Sequence, residues 1–214
     1  MAIICPAILA ASEEEYRQQI ERVAKFAHRI QIDLTDGKFA PSKTISPEQI
    51  WWPVGVLADF HLMYRDPSTI VKAILEHQPN MIIVHAEAEG DFQAVARLCH
   101  TGDVKVGIAL LQDTFPETIL PALEMIDHVL IFSGNLGSYG GQADTSLLEK
   151  VRVLKGHKPG LEVGWDGGVN DQNAAELILG GVDVLNVGGF MQNSDNPPKT
   201  YAALQRIANE TGST

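Results

Sequence analysis

The chain has only two cysteines, Cys5 and Cys99. One lies in an apolar amino-terminal run and the other in a helical pattern, so both read as buried thiols. Without a CxxC pair there is no disulfide framework. Basic residues are also scarce: 16 Lys and Arg stand against 27 Asp and Glu, a formal net charge of −11. That balance argues against nucleic acid and against a membrane as partners, because both anionic surfaces need a positive one. If the ligand is a phosphate, backbone N–H groups and helix N-termini must hold it rather than a lysine cluster. No apolar stretch approaches the roughly 20 residues of a membrane span. The start, MAIICPAILAASEEEY, has no cationic residue before its short apolar run and soon turns acidic, unlike a signal peptide. Low-complexity segments and interdomain linkers are missing too. These absences imply a soluble cytoplasmic protein. With 214 residues, 45% hydrophobic and 20% charged, the chain fits one domain with a substantial core, residues 1–214.

What is present is a repeat. Strand-length apolar runs fall at Ile3–Leu9, Arg29–Leu34, Leu57–Met63, Met81–His85, Val104–Leu110, His128–Ser133, Leu161–Asp166 and Val182–Val187. Amphipathic stretches lie between them: Glu13–Ala27, Pro67–His77, Asp91–His100, Thr145–Leu154, Asn170–Leu179 and Lys199–Glu210. Ser12 stands where an N-cap is wanted, with Glu15 three residues on. Eight strands, each followed by a helical or irregular segment, predict an α/β protein with a parallel sheet, a (β/α)8 TIM barrel. The open doubly wound sheet usually has fewer strands and a GxGxxG turn after the first, which this chain lacks. Thr211–Thr214 reads as a frayed tail.

In such barrels the reactive groups sit at the carboxyl ends of the strands. Alternation along Ile30–Asp36 turns Ile30, Ile32 and Leu34 to the helices and Gln31, Asp33 and Thr35 to the barrel axis. Adjacent inward polar groups are expensive to bury without a metal, a substrate or a hydrogen-bond network. The third strand adds Asp59, His61 and Met63 on one face, and the seventh ends at Asp166. Any one of these has a plain structural reading as a cap or a core hydrogen-bonder. Two carboxylates and an imidazole from three strands, all at one end, suit either a divalent metal with mixed N/O ligands or an acid/base pair. Three glycine pairs follow consecutive strands, Gly140-Gly141, Gly167-Gly168 and Gly188-Gly189. Glycine lets backbone N–H groups approach a ligand, and barrels frequently bind phosphate after strands seven and eight.

Together the segments CPAILAA, QIDLTDGKFAPS, DFHLM, IIVHAEAE, GIAL, SGNLGSYGGQ, WDGGVN and GVDVLNVGG resemble the ribulose-phosphate 3-epimerase family, in order and over essentially the whole chain. The resemblance implies an isomerase, an epimerase of carbohydrate metabolism and the pentose phosphate pathway, that interconverts D-ribulose 5-phosphate and D-xylulose 5-phosphate. By that likeness Asp33 and Asp166 are the two acid/base groups on opposite faces of a phosphorylated ketose. Proton transfer runs through an enediolate, assisted by one divalent metal ion, Zn2+, Fe2+, Mn2+ or Co2+, bound by Asp33, Asp166 and His61. The second metal-ligating histidine of the family falls at Gln31, a neutral and poorer ligand. The family's Pro-Ser of strand one is Pro6-Ala7. Of its site methionines only Met63 is kept, with Thr35 and Phe132 in place of the others. The phosphate loop NPGFGGQ appears as Asn135–Gln142 with one extra residue. Met63 and the six paired glycines form the expected substrate and phosphate contacts. These departures leave open an epimerase for another ketose phosphate, such as D-allulose 6-phosphate, or a catalytically impaired phosphate-binding barrel. They also leave open a homo-oligomer. His85 and Glu87 read as a structural hydrogen bond or a support behind the ligands, Lys38 as solvated, and Trp51-Trp52 as packing at the rim or an oligomer contact.

Overall fold

Short runs of β-branched and aliphatic residues cannot bury themselves alone, and here eight of them pair side by side until the sheet closes. The computed structural model describes residues 1–212. Strands β1 (Ile3–Ile8), β2 (Arg29–Thr35), β3 (Leu57–Met63), β4 (Met81–His85), β5 (Lys105–Leu110), β6 (His128–Phe132), β7 (Glu162–Asp166) and β8 (Val184–Val187) are all parallel. β1 pairs with both β2 and β8, so the barrel has no open edge. Every expected strand is found, with ends shifted by no more than two residues.

Helices α1 (Glu13–Val23), α2 (Ser68–Leu75), α3 (Phe92–Thr101), α4 (Leu148–His157), α5 (Ala174–Leu179), α6 (Gly189–Gln192) and α7 (Pro197–Thr211) surround it. The Ser12 hydroxyl accepts from Glu15 N at 3.3 Å, while the Glu15 carboxylate reaches back to Ala11 N at 2.8 Å. α5 starts four residues later than the hydrophobic pattern predicts. Asn170 N donates to Asn173 Oδ1 and Gln172 N to Asn170 Oδ1, so side-chain oxygens take the donors of that first turn. After β5 the chain makes a 3₁₀ helix, Pro116–Met125, with Pro121 inside it. A proline there lacks the donor a regular α-helix needs. α7 runs through Thr211; Ser213 and Thr214, the end of the tail expected to fray, lie outside the described residues.

Ile30, Ile32 and Leu34 join the large core between sheet and helices, as alternation requires. The barrel interior is layered differently. Its middle is a small apolar plug of Met81, Ile83, Ala109 and Leu130. Beneath it is a charged floor. Arg29 Nε donates to Asp59 Oδ2 at 2.5 Å, and its two terminal nitrogens donate to Glu162 at 2.9 and 2.8 Å. Asn80 donates to Asp59, and His128 Nδ1 lies 2.8 Å from Glu162. Polar groups return above the plug at the carboxyl ends of the strands, the end at which barrels of this kind carry their sites. Cys5 and Cys99 are both fully buried. Trp52 packs edge-on against Phe60, whereas Trp51 is half exposed beside Tyr16. Among the described residues no helix is long and apolar enough to cross a membrane.

Candidate active site

Register places the inward groups. Asp33 on β2 lies opposite His61 on β3, and Phe132 on β6 opposite Asp166 on β7. His61 Nδ1 comes within 2.9 Å of Asp33 Oδ1 and 3.8 Å of Asp166 Oδ2. One ligand atom from each of Asp33, His61 and Asp166 lies within 4.8 Å of the others. That set of two carboxylate oxygens and one imidazole nitrogen matches the mixed donors a divalent cation takes. Gln31 sits just beneath. Its amide Nε2 donates to Asp33 Oδ1 at 2.8 Å and to Asp166 Oδ2 at 2.5 Å. Its amide NH2, rather than its carbonyl oxygen, therefore faces the carboxylates, and the oxygen becomes a ligand only after the amide turns over.

Electrostatics separate the groups further. Burial, and then the neighbouring Asp33 charge, push the Asp166 carboxyl up to about 7, against the opposing pull of His61 and Gln31. Such a carboxyl keeps its proton more readily than an ordinary one; a cation beside it lowers this value. His85, at the end of β4, is 3% exposed, and burial takes its imidazole down to about 4, so it is neutral at physiological pH. Its Nε2 lies 2.8 Å from His61 Nε2. Phe39 stacks on His85 with ring centroids 4.7 Å apart, and Phe132 covers both imidazoles at 5.7 and 5.8 Å. Water is thereby kept from the lower half of the site.

Above these groups opens a cavity of about 590 Å3. Asp33, Asp166 and Met63 line it together with Gly140, Gly141, Gly167, Gly168, Gly188 and Gly189. All of the sequence-predicted residues thus converge, with His61 and Gln31 buried below the cavity floor. Two glycines show why the loops need them. Gly167 has φ +111°, and a Cβ there would lie 2.0 Å from Gly134 N; Gly168 has φ +70°, and its Cβ would lie 2.2 Å from Ala143 N. The loops after β6 and β7 touch backbone to backbone, so no larger residue fits. Lys38 is exposed.

The sequence reading missed the latch on this loop. Tyr139 Oη accepts from Leu9 N at 2.7 Å and lies 3.1 Å from Ala7 O and 2.5 Å from Gln19 Oε1. Gln19 in turn donates to Leu9 O at 2.8 Å. The loop after β6 is so tied to the end of β1 and to α1. Gln19, a polar residue on the otherwise apolar inner face of α1 with Tyr16, Ile20 and Val23, was the available signal.

Residues 3–191 match the model of the ribulose-phosphate 3 epimerase family. The ribulose-phosphate 3-epimerase of Helicobacter pylori is 32% identical over 212 residues, covering 95% of this chain and 97% of that protein. That of Bacillus subtilis is 28% identical over 214 residues, covering 96% and 99%. Among solved structures, 3-hexulose-6-phosphate synthase from Salmonella typhimurium superposes with a TM-score of 0.73 at 12% identity, covering 98% of this chain and 99% of that one, a likeness of fold alone. With the family model spanning most of the barrel, the chain belongs to the ribulose-phosphate 3-epimerase family, which are isomerases acting on carbohydrates.

Proposed function

We propose that this protein interconverts D-ribulose 5-phosphate and D-xylulose 5-phosphate by inverting C3. The observation that carries this reading is the meeting of Asp33 and Asp166, from β2 and β7, in one cavity that the three glycine pairs also line. One carboxylate takes the C3 proton as the C2 carbonyl becomes an enediolate, and the other returns a proton to the opposite face. Asp166 is the proton donor when Asp33 is the base; the reverse reaction exchanges the roles. The relatives in Helicobacter pylori and Bacillus subtilis are ribulose-phosphate 3-epimerases, which supports ribulose phosphate as the substrate.

Asp33, His61 and Asp166 would hold a divalent ion, Zn2+, Fe2+, Mn2+ or Co2+. When bound it polarises the C2 carbonyl and stabilises the negative charge that develops there. Gln31 holds the two carboxylates together from below through its amide N–H groups. Replacing it by histidine, Gln31→His, adds an imidazole donor and is expected to tighten metal binding several-fold in a chelator competition. Unchanged affinity would place position 31 outside the ligand set.

The phosphate arm belongs among the glycine loops. Among the described residues no lysine or arginine lines the cavity, so backbone N–H groups carry the recognition, in keeping with the acidic composition. Tyr139→Phe removes the hydroxyl that latches the β6 loop. It is expected to raise KM for a ketose phosphate several-fold with a smaller change in kcat, and to lower stability by about 1 kcal/mol in urea unfolding. A KM equal to that of the unmodified protein would separate the latch from phosphate binding. The activity itself is checked on protein stripped of metal and then supplied with each of the four ions. Conversion of D-ribulose 5-phosphate to D-xylulose 5-phosphate, followed by NMR, is expected with at least one of them. Failure with all four, together with conversion of D-allulose 6-phosphate, would move the substrate assignment to that sugar.

A further inference from the structure

Among the described residues, His85 Nδ1 and Glu87 Oε2 are buried atoms without a hydrogen-bond partner, and they face each other at 3.4 Å. They belong to one line of side chains. Asp33 Oδ1 lies 2.9 Å from His61 Nδ1, His61 Nε2 lies 2.8 Å from His85 Nε2, and His85 Nδ1 points on to Glu87. The other oxygen of Glu87 accepts from Leu111 N at 3.0 Å and from the Thr114 hydroxyl, which fixes the carboxylate in place.

Proton positions along this line are linked. With both rings neutral, one proton lies between the two Nε2 atoms. If it belongs to His85, the proton of His61 is on Nδ1, pointing at Asp33. His85 Nδ1 then carries a lone pair aimed at a carboxylate oxygen, and two buried acceptors confront each other. If it belongs to His61, His85 carries its own proton on Nδ1 and donates it to Glu87. His61 Nδ1 then presents a lone pair towards Asp33 and Asp166. We propose that His85 and Glu87 are positioning residues: they hold the His61 proton on Nε2 and so present His61 Nδ1 as a ligand for a divalent cation. A carboxylate behind a histidine ligand commonly fixes its tautomer in this way. The inference rests on the metal reading above.

Glu87→Gln tests it sharply, because Leu111 N and Thr114 both donate to the same oxygen and will keep the amide oxygen on their side. The amide NH2 then takes the place of Oε2 and donates to His85 Nδ1. That reverses the line: His85 gives its Nε2 proton to His61, whose own proton moves to Nδ1, where it blocks ligation. Glu87→Ala only removes the bias. On the full chain, Zn2+ and Mn2+ affinities are measured by chelator competition for the unmodified protein and both variants. 15N histidine NMR reads the tautomers, and urea unfolding checks the fold. The expected result is metal binding weakened about 10- to 100-fold in Glu87→Gln, more than in Glu87→Ala, at little change in unfolding midpoint. The zinc-loaded protein should carry the His61 proton on Nε2. A glutamine variant that binds as tightly as the unmodified protein would overturn the inference, and so would an alanine variant that binds more weakly than the glutamine one, the order a packing role gives. Those results leave the metal reading standing. Failure of the unmodified protein to bind either ion overturns both.

Discussion

Asp33→Asn and Asp166→Asn are each expected to lower kcat by about two to four orders of magnitude, while the dissociation constant for inorganic phosphate stays within roughly twofold. The amide has the shape of the carboxyl but neither takes nor gives a proton at C3. The glycine loops after β6, β7 and β8 line the cavity with backbone that neither substitution removes. Because the two groups act in one proton cycle, the double variant should be little worse than the poorer single one, a non-additivity typical of residues that work as a unit. Each single variant should also keep slow hydrogen exchange at C3 with one epimer, through the carboxylate that remains, without inverting it. Steady-state kinetics and exchange into deuterium oxide measure both effects. Full turnover in either variant would refute the two-base assignment.

Arg29→Ala should have the largest effect on stability, about 3–5 kcal/mol in urea unfolding. Arg29 is buried under the apolar plug, and its guanidinium is held by Asp59 and by both oxygens of Glu162. Removing it leaves the Asp59 carboxylate, with a side chain 3% exposed, without its cation. Burial alone would raise the Glu162 carboxyl, but hydrogen bonds from His128 and Arg29 outweigh it and hold the group well below its ordinary 4.5. A depressed folded-state value stabilises the fold above the unfolded one and is lost as pH falls. The unmodified protein should therefore weaken below about pH 4.5, and Arg29→Ala should show a shallower acid dependence. Its kcat at low denaturant should stay close to that of the unmodified protein, because the plug separates the floor from the mouth. A loss under 1 kcal/mol would show the floor to be dispensable.

Much of the fold was legible because the strands obey one rule. Period-two alternation in Ile30–Thr35 assigned an inward and an outward face that the barrel reproduces, and eight such runs left little choice of architecture. The convergence of Asp33, His61 and Asp166 followed from strand ends alone. What stayed hidden depends on contacts between distant segments. The Tyr139 latch joins residues 130 and more apart to Leu9 and Ala7, and no local pattern marks a tyrosine hydroxyl as a tether. Gln31 read as a weakened ligand, yet its place in the hydrogen-bond network is that of an N–H donor to both carboxylates. Side-chain amides have two faces, and sequence does not say which is turned inward. The late start of α5 came from Asn170 and Asn173 bonding to nearby backbone, which hydrophobic periodicity does not register.

The central claim is that Asp33 and Asp166 move protons on opposite faces of C3 in a ketose phosphate. The most direct measurement is to incubate metal-loaded protein with D-ribulose 5-phosphate in deuterium oxide and to follow product and label by NMR. The account predicts D-xylulose 5-phosphate carrying deuterium at C3, and solvent deuterium appearing there in recovered substrate. Product that retains the original C3 hydrogen throughout, or label at C1 instead of C3, would contradict it.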